Sequence, residues 1–177
     1  MSKVSKLHKE SSPMSAGVFV LTCSTSKFRE LQQKQQPDDE SGDIIERLST
    51  NAGHRISGRK LISDSKPMIR SALRTVLGDR TVDVLIVTGG TGLSTTDVTF
   101  ESISPLLDKH LPGFGEIFRR ISYDRIGSAA MMSRAFAGIV GKKAVFCLPG
   151  SPDGVKTAME SLILPELGHI VGLARGN

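Results

Sequence analysis

At 177 residues, with 38% apolar side chains and 18 glycines, the chain is long enough to fill one core and reads as a single domain. No run approaches the ~18 apolar residues of a membrane helix, and the N-terminus lacks the apolar centre of a signal peptide, which excludes a membrane protein and makes the cytoplasm the expected compartment. The net charge of +5 gathers several cations in "MSKVSKLHKE" and scatters the rest, and one tyrosine without tryptophan gives no stacking platform; nucleic acid is excluded and a small polyanion is the better partner.

Residues 1–15 are polar and lack a sustained apolar period, so they are expected to form a disordered tail, leaving 16–177 as the domain. "GVFVLTCS" is a compact, partly β-branched run and predicts a buried first strand. "TSKFRELQQKQQPDDESG" is polar and ends in turn-forming residues, which predicts a long loop with room for function. "GDIIERLSTNAGHR" has helical spacing at Ile44, Ile45 and Leu48, and "RISGRKLIS" reads as a weaker second strand. In "SDSKPMIRSALRTVLGD" a serine cap, an early Pro67 and apolar positions from Met68 to Leu77 spell a helix. "TVDVLIVTGG" is continuously apolar, as a strand buried on both faces of a parallel sheet would be. "DVTFESISPLLDKHL" and "GFGEIFRRIS" predict helices interrupted at Pro105 and at an "LPGFG" turn. "GSAAMMSRAFAGIVG" carries no assignable period, "KKAVFCLPGSPDG" reads as a strand entering a turn, and the C-terminal segment is amphipathic helix with a break near Pro165.

Alternation of strands and helices predicts an α/β fold, a three-layer αβα sandwich around a mostly parallel central sheet. Ligands of such sheets bind beyond the carboxyl ends of the strands, where the turns "TGGTG" and "LPGSP" fall. Gly89, Gly90 and Gly92 allow positive φ and close approach, so successive N–H groups can form an anion nest, helped by the hydroxyls of Thr88, Thr91 and Ser94 and by a following helix. A ligand-free strand-to-helix turn is the alternative. A Walker loop and a dinucleotide fingerprint both fit poorly, since "GIVGKK" has the wrong spacing and Thr95 occupies the third glycine position. Cys23 and Cys147 belong to no Cys-x-x-Cys pair and are expected as buried free thiols, while His8, His54, His110 and His169 stand alone in sequence.

Asp97 follows the nest where a helix should begin, so it either caps that helix or holds a metal ion beside a bound phosphate. Asp64 in "LISDS" invites the same pair of readings. Together the two carboxylates suggest Mg²⁺-dependent nucleotide chemistry.

The stretch "LIVTGGTGLSTTDVT" resembles the signature of the molybdopterin-binding proteins of molybdenum-cofactor biosynthesis, the MoaB/MogA type that also forms the G domain of gephyrin. "DESGDII", "AGHRISGRKLISD", "LPGFGEIFRRISYDRIGSAAMMSRAFAGI" and "AVFCLPGSPDGVKTAMESLILPELGH" follow in family order, and the "LPGSP" wording is closer to the MoaB branch. The resemblance implies adenylylation of molybdopterin by Mg-ATP with release of pyrophosphate, or else a non-catalytic molybdopterin-binding or scaffolding protein. It implies Asp64 and Asp97 as functional carboxylates and Mg²⁺ ligands. Thr88, Gly89, Gly90, Thr91 and Gly92 would bind substrate and nucleotide, with Gly113, Gly115, Glu116, Ser133, Gly150 and Ser151 completing the walls. Homo-oligomers, trimer or hexamer, are implied as well, with other enzymes of the cofactor pathway as further partners. Many relatives carry arginine just before the signature aspartate, where this chain has Thr96; Arg125, Arg134 or a lysine are the candidates to replace its charge.

Overall fold

The computed structural model describes residues 15–176, so the stretch 1–14 expected to be a disordered tail lies outside the described residues. Six strands form one sheet: β1 (Gly17–Cys23), β2 (Arg55–Ile62), β3 (Val84–Thr88), β4 (Lys109–His110), β5 (Phe136–Val140) and β6 (Lys143–Leu148). Their spatial order is β2-β1-β3-β6-β5-β4. The pairings β1–β2, β1–β3 and β3–β6 are parallel, whereas β5 runs antiparallel to both β6 and β4. β3 is buried at every position, as its unbroken apolar run requires at the centre of a parallel sheet.

Helices α1 (Thr25–Gln32), α2 (Glu40–Asn51), α3 (Lys66–Gly78), α4 (Thr99–Ile103), α5 (Pro112–Ile126), α6 (Pro152–Ala158) and α7 (Leu164–Arg175) complete the chain. Two cores follow from the period-2 alternation of the strands. Val18, Val20, Val84, Ile86, Ala144 and Phe146 face Ile45 of α2, Phe114 and Phe118 of α5, and the α6–α7 segment. Leu21, Leu85, Val87, Val145 and Cys147 face Ile69, Leu73 and Val76 of α3 and Ile103 of α4. This is the three-layer αβα sandwich with a mostly parallel sheet that the sequence predicts. β2 forms one edge and pairs only with β1 within the sheet, while the other edge ends in the two residues of β4.

Three local expectations are corrected. "TSKFRELQ" is helix α1, with Ser24 as N-cap, rather than loop. The "LPGFG" turn is instead the entry to α5: Pro112 stands in the first helical turn, where its missing N–H has no partner to lose. No break occurs near Pro165, because α6 continues through a π-helical turn (Met159–Ile163) into α7, whose first turn accepts the proline. The unassigned segment becomes a 3₁₀ turn (Gly127–Met132) followed by β5. Among the described residues no helix is long and apolar enough to cross a membrane.

Candidate active site

Past the carboxyl ends of β1, β3 and β6 lies a cleft of about 410 Å³. Thr88 to Gly92, Asp64, Asp97, Ser133, Gly150 and Ser151 all line it, which brings together ten of the thirteen expected site residues. The two glycine turns meet there: the Gly89 N–H donates to the Leu148 carbonyl at 3.1 Å and the Thr88 hydroxyl to the Pro149 carbonyl at 2.7 Å. Gly89 and Gly90 have φ of +98° and +64°, and a Cβ on Gly89 would stand 2.1 Å from the Cys23 carbonyl oxygen. Gly92 is required for space instead, since a Cβ would stand 2.8 Å from Asp97 Oδ2.

Carbonyl orientation decides what this loop offers a ligand. The Gly89 carbonyl accepts the Thr99 hydroxyl at 2.9 Å and the Gly90 carbonyl accepts the Thr99 N–H at 3.0 Å. The Thr91 carbonyl accepts the Arg134 N–H at 3.1 Å, and the Gly92 carbonyl accepts Arg134 Nε at 2.8 Å. Four successive carbonyls thus point into the protein, and in trans peptides the N–H groups that follow them point the opposite way. Among the described residues, the N–H groups of Gly90, Thr91, Gly92 and Leu93 donate to no protein acceptor. The loop presents donors alone, the arrangement that receives an anion.

The carboxylates are held separately. Asp97 caps no helix: α4 begins after Val98 without a side-chain cap, and Asp97 Oδ2 accepts the N–H of Ser94 at 2.8 Å across its own turn. The helix expected to assist the nest is only five residues long, so its dipole adds little. Asp64 Oδ2 accepts the N–H and hydroxyl of Thr25, at 2.8 and 2.9 Å, at the start of α1.

Lys27 supplies the positive charge on the cleft wall and donates to the Asp38 carbonyl. Asp39 also lines the cleft, but its charge is met by Arg59 at 2.8 Å and by the Thr22 hydroxyl at 2.7 Å. Burial opposes the Arg59 charge, and its bonds to Asp39 and Asp43 outweigh that and raise its pKa. Ser41 closes the wall by donating to the Gly150 carbonyl at 2.9 Å. Excluding the paired Asp39, one lysine faces two carboxylates, so a polyphosphate entering the cleft needs added positive charge. Among the described residues no group of three His, Cys, Asp or Glu side chains could hold a metal. Asp64 and Asp97 on the cleft wall are a donor set that Mg²⁺ could use, since that ion takes one or two carboxylates and completes its shell with waters and substrate phosphates.

Gly113, Gly115 and Glu116 do not reach this cleft. They sit on α5, and Gly115 and Glu116 border a separate hollow together with Arg119 and Arg134. Of the candidates for the missing arginine charge, Arg125 is bonded to Thr157 and Arg134 lies behind the loop. Thr22, Cys23, Ser24, Lys27, Asp39, Ser41 and Pro149 line the cleft without having been singled out from the sequence. The strand-end rule, applied to β1 as it was to β3 and β6, would have pointed to the first four.

Comparison with known proteins agrees with this geometry. Residues 19–169 match the family described as "Probable molybdopterin binding domain". The chain is 43% identical to molybdenum cofactor biosynthesis protein B of Bacillus cereus, over 92% of this chain and 93% of that one. It is 36% identical to a probable molybdopterin adenylyltransferase of Methanocaldococcus jannaschii, over 88% and 92% of the two chains. A crystal structure of a molybdenum cofactor biosynthesis protein B superposes with a TM-score of 0.85 at 41% identity, covering 94% of this chain and 99% of the other. With the strand-end cleft, the donor-only loop and a match over most of its length, the chain belongs to the molybdopterin-binding domain family of molybdenum cofactor biosynthesis proteins.

Proposed function

We propose that the protein is a molybdopterin adenylyltransferase that uses Mg-ATP. The observation that carries this reading is a loop offering only N–H donors between two carboxylates, and the name of the Methanocaldococcus jannaschii relative supports it. A terminal phosphate oxygen of molybdopterin attacks the α-phosphorus of ATP; the new P–O bond forms as the bond to the β-phosphate oxygen breaks, and pyrophosphate leaves. Such a transfer needs positioning and charge neutralisation rather than a covalent nucleophile. Bound Mg²⁺ would neutralise the phosphates, with Asp64 and Asp97 as its protein ligands. The loop N–H groups hold phosphate oxygens, Lys27 adds one cationic contact, and the hydroxyls of Ser133 and Ser151 orient the substrates, while Thr88 and Thr91 serve the same site through the backbone, their hydroxyls tying the loop to the Pro149 and Leu148 carbonyls. Gly113, Gly115 and Glu116 would act indirectly, through the hollow behind Arg134. The reading includes a homo-oligomer, trimer or hexamer, in the cytoplasm, with further enzymes of the pathway as partners.

Thr96 favours a second reading, in which the cleft binds molybdopterin without turnover. Incubation of the purified protein with molybdopterin and Mg-ATP separates the two. Adenylylated molybdopterin and pyrophosphate are expected at enzymatic rates; tight pterin binding without product would refute the first reading. Asp97→Asn and Asp64→Asn should keep the fold and lose about 2–4 kcal/mol of transition-state stabilisation, read as turnover beside thermal melting. Unchanged turnover in Asp97→Asn would remove that residue from the chemistry.

A further inference from the structure

The carbonyls of Thr91, Gly92 and Asp97 converge on one residue outside the cleft wall. Arg134 donates its backbone N–H to Thr91 at 3.1 Å, Nε to Gly92 at 2.8 Å and Nη2 to Asp97 at 3.0 Å. The rest of its guanidinium grips the Glu101 carboxylate, and the Phe100 ring lies 5.4 Å away. The Arg134 side chain is about three-quarters buried, with a relative exposure of 26%. In return, the bond from Arg134 holds the Glu101 carboxyl below the usual carboxylate range. The residue's neighbour, Ser133, reaches the cleft, whereas Arg134 itself stands on the opposite side of the loop.

We propose that Arg134 is the positioning residue of the anion-binding loop: by drawing three carbonyls backwards it fixes the N–H groups of Gly92 and Leu93 towards the ligand and sets the backbone that carries Asp97. The planar guanidinium matters here, because two carbonyls and a carboxylate are met at once by donors in fixed directions. A lysine at 134 could satisfy one of them with its single nitrogen and would leave the loop free to rotate a peptide. Glu101 is the buttress: bonded to one side of the guanidinium, it aims the other side at the loop.

This inference rests on the reading of the cleft as a phosphate site, and the experiment keeps the two apart. Mg-pyrophosphate is titrated by calorimetry into the full-length protein and into Arg134→Lys and Glu101→Gln, with a melting curve for each. Wild type should bind, Arg134→Lys should bind at least tenfold more weakly while melting within a few degrees of it, and Glu101→Gln should lose a few-fold. Wild-type affinity in a folded Arg134→Lys overturns the positioning role alone; failure of wild type to bind either Mg-pyrophosphate or Mg-ATP overturns the phosphate reading with it. Nuclear magnetic resonance on wild type decides the matter should the lysine variant not fold. The amides of Gly92 and Leu93 should shift on adding Mg-pyrophosphate while the Arg134 Nε–H keeps its carbonyl bond. Release of that Nε–H to the ligand, with unmoved amides, would make Arg134 a direct contact and overturn the proposal.

Discussion

A cysteine on the wall of a strand-end cleft invites a nucleophilic role, and Cys23 occupies such a place at the end of β1. Burial pushes its thiol up to about 12, a hydrogen bond with Thr99 opposing the shift only partly. Below that value the group is the neutral thiol, which is neither nucleophile nor metal ligand. Cys147 is raised as well, again by burial. Alkylation by iodoacetamide at pH 8 should therefore be negligible in the folded protein and rapid in denaturant; labelling of Cys23 in the native state would contradict this placement. The pH dependence has a fixed sign. A folded pKa above the unfolded value of 9.0 contributes stability fully present below about 9 and lost as pH climbs towards 12, so alkaline melting curves of Cys23→Ala should fall less steeply than those of wild type.

Among the elements, the signature loop depends on glycine for backbone conformation and for space, and Gly90 shows both demands. Its φ is +64°, and a Cβ there would meet the Thr99 hydroxyl at 2.5 Å and Asp64 Oδ1 at 3.0 Å. Gly90→Ala should cost about 1–3 kcal/mol of stability and weaken Mg-pyrophosphate binding, since Thr99 and Asp64 would both have to move. Melting and calorimetry on this variant would read the two effects separately. The apolar elements were the legible ones: β1, β3, β6 and α3 announce themselves by continuous or periodic hydrophobicity, and their strand ends located the glycine turns. α1 was not legible, because "TSKFRELQ" buries no residue completely and so leaves no apolar stripe to read. Its miss concealed Lys27 and the partner of Asp64. Asp39 and Ser41 were hidden in "PDDESG", where the turn propensity of the residues outweighed the helix cap that Asp39 supplies to α2. Pro112 misled for a similar reason, since proline both ends and begins helices and only tertiary packing of Phe114 and Phe118 shows which.

For the whole molecule, the exposed apolar side chains concentrate where α5 gives way to its 3₁₀ turn: Tyr123, Ile126, Met131 and Met132 are all at least half exposed. Association of copies through such surface fits the trimer or hexamer that the family resemblance implies. Sedimentation at micromolar concentration should give a trimer or hexamer, and a single monomeric species would refute it. The sheet itself has to be kept out of such contacts. Among the described residues, β2 leaves the outer side of an eight-residue strand without a neighbouring strand, a template on which another chain could add by backbone pairing. Along that edge stand Arg55 and Lys60, both exposed, so that a second copy approaching edge-on meets like charge before it meets a hydrogen bond. The exposed cations of β2 thus act as gatekeepers: pairing two copies of this strand edge to edge would bring like charges together, which disfavours growth of a fibre through the open side of the sheet.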